Sequence, residues 1–167
     1  MKPILACAGA ALLVVGANAA FAAAGTTFIK DAIQGDNAEI KMGQLAQQNG
    51  SGQGVKSYGE TLVSDHTMAK SQADSVAQKM GVKPPSGVSQ EAQQTYDKLA
   101  KLSGAEFDRE FLKDAVKDHR KDIAKYQHEA SAKDGPASDM AAKQLPTLEK
   151  HLRMAENLET GKQASAQ

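Results

Sequence analysis

The chain has 167 residues, with 20 basic and 20 acidic side chains and a net charge of 0. Aromatics make up 4% of it, tryptophan is absent and there is one cysteine. That composition excludes a disulfide framework, disfavours a strand-rich fold and offers no basic face for nucleic acid.

The N-terminus reads as a cleaved leader over residues 1–22. Lys2 supplies a positive start, Ile4 to Val15 is almost wholly apolar, and Ala20-Phe21-Ala22 presents small residues where a signal peptidase cuts, with Ala17-Asn18-Ala19 as a second candidate. The apolar run is short for a membrane span, which needs about 20 residues, and no later segment is apolar enough. Cys7 lies near the start of the run, with most of the run after it rather than before it, so it is expected to leave with the leader rather than carry a lipid. A mature chain of about 145 residues, residues 23–167, fits one domain. It keeps no thiol, and any metal must use nitrogen and oxygen ligands. Export to the periplasm or cell envelope is the expected location.

Four long amphipathic helices are predicted after the leader. The first, about 26–49, places Phe28, Ala32, Gly35, Glu39, Met42 and Ala46 at alternating steps of four and three. Asn49-Gly50-Ser51-Gly52 breaks it. The second, about 53–80, holds Val55, Gly59, Leu62, His66, Ala69, Ala73, Val76 and Met80 on one seam and stops at Gly81 and Pro84-Pro85. A shorter helix over about 89–102 carries Ala92, Tyr96 and Leu99 and serves as the crossover. Ser103-Gly104-Ala105-Glu106 has the form of a capping box and opens the third long helix, about 104–133, which presents Leu112, Ala115, Val116, His119, Ile123 and Tyr126. The fourth, about 138–159, shows Ala141, Leu145, Leu148, His151, Leu152, Ala155 and Leu158, with a kink expected at Pro146.

Two short hairpins around one longer crossover is the connectivity of an all-α, ferritin-like antiparallel four-helix bundle with a short extra helix in the crossover. Glu39, His66, His119 and His151 fall one per helix on the inward seams and near mid-helix, so antiparallel packing brings them to one level. Three imidazoles and a carboxylate suit zinc, copper, iron, manganese or nickel. Asp36, one turn before Glu39, and Asp122, one turn after His119, are possible additional ligands, which makes a two-metal site conceivable. The same residues also fit a closed, metal-free polar network that fixes helix register. Asp65 and Asp118, about 100° round the helix from their neighbouring histidines, are expected to be solvated or paired with lysine, the alternative being a carboxylate that orients a ligating imidazole on an adjacent helix. His128 is assigned to the surface, Asp108 to the helix dipole, and Tyr58 and Tyr96 to packing. No phosphate loop, nucleophile elbow or serine triad is present, so no enzyme class is assigned.

Asn37-Ala38-Glu39-Ile40, Asp65-His66-Thr67, Ser103-Gly104-x-x-Phe107-Asp108, and Leu145-Pro146 with His151-Leu152 together resemble the exported bacterial domain-of-unknown-function family numbered four-one-four-two. The resemblance implies a ferritin-like bundle and an exported location, and brings no activity. The chain departs from the di-iron ferritin pattern, because Val63, Val116 and Leu148 stand three residues before the histidines where Glu-x-x-His would need glutamates. A histidine-rich mononuclear centre is the expected form if a metal binds, and a non-catalytic envelope or stress-associated bundle with a metal-free core is the alternative.

Overall fold

The computed structural model describes residues 14–133 and 135–161, with side chains from residue 24 onward. Five helices account for it: α1 Val14–Asn49, α2 Gln53–Lys79, α3 Gln90–Leu99, α4 Gly104–Ala132 and α5 Pro136–Glu159. Among the described residues there is no strand. Most of the expected leader, residues 1–13, lies outside the described residues. Helix α1 starts twelve residues earlier than expected at about 26, because the stretch before Thr26 holds no proline and its alanines favour helix despite Gly16 and Gly25. No described helix is long and apolar enough to cross a membrane.

Hydrogen bonds between distant segments establish the direction of each helix. Asn37 donates to the Gly87 carbonyl (3.1 Å), Lys41 to Gln93 (3.1 Å) and Asn49 to the Leu102 carbonyl (2.8 Å), so the crossover climbs beside α1 in the same direction. It returns the chain to the end where α2 began. There the Asp108 carboxylate accepts from Ser51 N–H, Ser51 Oγ–H and Gly52 N–H at 3.0, 2.6 and 2.9 Å. Asp108 is thus structural as expected, but its partner is the loop before α2 rather than its own helix dipole alone. Helices α2 and α4 therefore run the same way, α1 and α5 the other. α1 packs on α2 and α4 on α5 as hairpins, and the hairpins meet through α2 with α5 and α1 with α4.

Local sequence explains the ends. Gly81 takes φ 68°, and Val82 N–H reaches back to the Ala77 carbonyl at 2.8 Å, the Schellman arrangement that turns the chain sharply after α2. Ser89 caps α3 by accepting from Ala92 N–H. The capping box expected at Ser103 does not form, because Gly104 takes φ 66° and Ser103 makes no side-chain cap hydrogen bond. Pro146 sits inside α5 without ending it. Helices α1 and α2 approach closely at Gly43 and Gly59, where a Cβ on either would stand 2.6 Å from the other's carbonyl oxygen. Only glycine permits that approach.

The core is divided. An upper apolar cluster holds Met42, Leu45, Tyr58, Leu62, Phe111 and Val116, and a lower one holds Ile29, Ile33, Ala73, Tyr126, Ala141 and Leu148. Between them lies a buried polar layer of Asp36, Glu39, His66, His119 and His151.

Candidate metal centre

Helices α2, α4 and α5 each deliver one histidine to this layer. His66, His119 and His151 are 5%, 2% and 0% exposed, and their ring centroids are 5.2–6.0 Å apart. One ring nitrogen from each lies within 4.8 Å of one from each of the others. Imidazoles do not gather in a dry core without a reason, because each nitrogen taken from water needs a partner.

Each ring finds one such partner. The Ala115 carbonyl lies 3.0 Å from His119 Nδ1 and can only accept, so Nδ1 carries the proton and Nε2 keeps its lone pair. His66 Nδ1 donates to Asp36 Oδ1 at 2.8 Å. His151 Nε2 donates to Asp65 Oδ2 at 2.9 Å, and Lys150 donates to the same oxygen at 2.9 Å. The second nitrogens, His66 Nε2, His119 Nε2 and His151 Nδ1, are buried with no hydrogen-bond partner. An imidazole oriented through one nitrogen by a carboxylate or carbonyl, with the other left as a lone pair, is the form in which histidine ligates a metal.

The electrostatics keep two of the rings neutral. Burial, then the positive charge available at His66 and His151, pushes His119 down to about 3 against the pull of its carbonyl bond. Burial also takes His151 down to about 4, opposed by Asp65. His66 is held above its usual value: burial works against protonation, but the Asp36 hydrogen bond and the nearby Glu39 charge outweigh it. Burial raises Asp36 too, so the Asp36–His66 pair retains a proton between its members.

Three of the four seam residues thus converge, and Glu39 stands apart from them. Its carboxyl, 7% exposed, lines a cavity of about 210 Å³ between α1, α3 and α4 together with Asp114, Asp118 and Asp122. Burial, and then the charges of Asp118, Asp122 and Asp114 against that of His66, lift it to about 8. Asp122 shares this cavity and is raised to about 6, by burial first and Asp118 second. Asp36 belongs to the histidines, as the orienting partner of His66. Asp65, off the seam of α2, pairs with Lys150 as expected, and the same oxygen orients His151. A residue 100° from the seam of α2 faces the neighbouring α5, and the signal for it was the Asp65-His66 pair itself. Tyr58 is wholly buried above the layer, its ring 6.4 Å from that of His151 and its hydroxyl without a partner. His128 is exposed, as expected. A second, wider groove of about 640 Å³, bordered by Phe28, Ala32, Tyr126 and Leu148, reaches Asp36 and His66 from the lower half of the bundle.

Residues 11–158 match the model of a domain of unknown function, DUF4142. The chain belongs to that family. No curated protein and no solved structure matches it. In this DUF4142 chain the matched span takes in all five helices almost to the end of α5, and so every residue of the polar layer.

Proposed function

We propose that this protein is an exported, ferritin-like bundle that binds one transition-metal ion through His66, His119 and His151. The observation that carries this reading is the set of three orphaned, buried imidazole nitrogens facing one another, each on a ring fixed by an oxygen partner. Three imidazole nitrogen donors, two of them on rings held neutral, suit zinc, copper, nickel, iron or manganese, and leave room for a further ligand. The ferritin-like assignment rests on the two hairpins joined by a crossover that runs beside α1. Export rests on Lys2, the Ile4 to Val15 apolar run and the Ala20-Phe21-Ala22 cleavage site. The missing Glu-x-x-His pairs argue against two-iron oxygen chemistry, so metal storage, buffering or a one-centre redox task in the cell envelope is the role proposed.

Elemental analysis of the untagged mature protein, beside His119→Ala, tests it. Near-stoichiometric metal that is lost in the variant supports the centre and names its ion. No metal in either protein, after reconstitution with zinc, copper, nickel, iron and manganese, would leave a structural polar core closed by a shared proton and overturn the proposal.

A further inference from the structure

Helix α3 lies over only the upper part of the seam between α1 and α4. It is tied to α1 by Lys41 and Gln93 at 3.1 Å and to α4 by Lys121 and Glu91 at 3.0 Å. Below it the seam opens into the groove of about 640 Å³, whose walls come from α1 and α4, with buried His66 of α2 and Leu148 of α5 at the inner end. That volume falls within the range of small-molecule sites, about 300 to 1,000 Å³.

The groove is made by missing side chains. Gly35 lines it from the middle of α1, where its φ is not positive and a Cβ would meet nothing nearer than Asp122 Oδ2 at 3.9 Å. Gly43 and Gly59 let two backbones touch, but no close approach demands a glycine at Gly35. Glycine is the poorest helix former after proline, so a larger residue there would strengthen α1 and fill the space. Its absence keeps the groove open.

The walls are apolar, and a few polar groups converge on the inner end. Phe28 and Tyr126 pack edge to face at 4.9 Å and form an aromatic side. Asp36, 3% exposed, lines the inner end, and its Oδ2 has no partner. Four carboxyl groups border the groove, Asp31, Asp36, Asp122 and Glu129, and Asp31 stands at the exposed mouth. One lysine faces them, Lys125, 3.5 Å from Asp122, together with His66, bonded to Asp36, and the exposed His128. Carboxyl groups outnumber the cationic ones even with both pairs counted.

We propose that this groove binds a small organic cation with an aromatic body, its ring against Phe28 and Tyr126 and its ammonium group directed at Asp36. The unpartnered carboxylate oxygen is the acceptor that an ammonium N–H needs, and aromatic faces attract both a ring and a cation. An anion of the same shape meets acidic walls and is rejected. The site lies beside the histidine centre and binds without a metal.

The probe is phenethylammonium, titrated into the metal-free mature chain and followed by heteronuclear NMR, with phenylpropionate and phenethyl alcohol as the anionic and neutral counterparts. Saturable shifts centred on Phe28, Asp36 and Tyr126 are expected for the amine, with the carboxylate weaker by roughly tenfold or more. Gly35→Leu should lose the amine by a similar factor while melting no lower than wild type. Asp36→Asn should bring the amine and the alcohol to similar affinity, a change of preference that general loosening of the fold does not produce. If Gly35→Leu fails to fold, the wild-type shift map and the Asp36→Asn preference decide the question. No saturable shift with the amine, shifts that map away from the groove, undiminished binding in a folded Gly35→Leu, or equal binding of the carboxylate each overturn the proposal.

Discussion

Glu39→Gln should flatten the dependence of stability on pH. The carboxyl is buried and shifted from 4.5 to about 8, so at neutral pH the folded protein keeps a proton that the unfolded chain has lost. For a raised carboxyl, the stabilisation is complete below the unfolded value of 4.5 and is lost as pH climbs towards 8. At about 1.4 kcal/mol per pH unit for one proton, the loss between pH 5 and pH 8 is on the order of 3 kcal/mol. Glutamine has nearly the same shape and no charge to bury. The metal-free variant should therefore gain about 3 kcal/mol on the wild type across that interval, read as the difference in urea unfolding free energy at pH 5, 6, 7 and 8. His119 and His151 are common to both proteins, and their protonation cancels in the comparison. Parallel stability curves for the two proteins over this range would refute the reasoning, because they would mean that Glu39 ionises at its ordinary pH.

Four further substitutions probe the frame around the site. Asp65→Asn weakens the acceptor that orients His151, and metal affinity should fall by about 10- to 100-fold with the three imidazoles still present, measured by competition with a chromophoric chelator. Gly59→Ala drives a Cβ to 2.6 Å from the Gly43 carbonyl oxygen and 2.9 Å from Ala46 Cβ. It should cost about 1–3 kcal/mol, whereas Gly87→Ala, with open space around it, should be nearly silent in the same chemical melt. Asp108→Ala strips three hydrogen bonds from Ser51 and Gly52, and hydrogen exchange at those two amides should rise with a loss of about 1–3 kcal/mol in global stability.

Much of this architecture can be read from side-chain spacing. On the α2 seam Val55, Gly59, Leu62, His66 and Ala73 are buried while Ala69, Val76 and Met80 are half-buried, and on α4 Leu112, Ala115, Val116 and His119 are buried. Periodicity identifies the face of a helix but not its neighbours. Asp36 and Glu39 are one turn apart on α1 and look equivalent in the sequence, yet one meets His66 across the α1–α2 contact while the other turns to α3 and α4. Asp65 does pair with a lysine, Lys150, as its place beside the seam suggests, but its bond to His151 is not fixed by periodicity, for the same reason. A residue beside the seam is solvated on an isolated helix and bridging in a bundle, and only the position of α5 decides which. The failed capping box at Ser103 marks another limit, since the motif assumes ordinary backbone at the next residue, and Gly104 departs from it.

The polar layer also affects how the molecule comes together. His66 belongs to the first hairpin, His119 and His151 to the second, and each hairpin is continuous in sequence with a short turn of its own. The three nitrogens meet only when the hairpins dock, so the centre does not exist in either half alone. An ion held there would act as a rivet, pinning the two hairpins through the level at which the oily packing is interrupted. Its arrival would time the last step of folding, and its removal would loosen the molecule along the joint between hairpins before either hairpin frays.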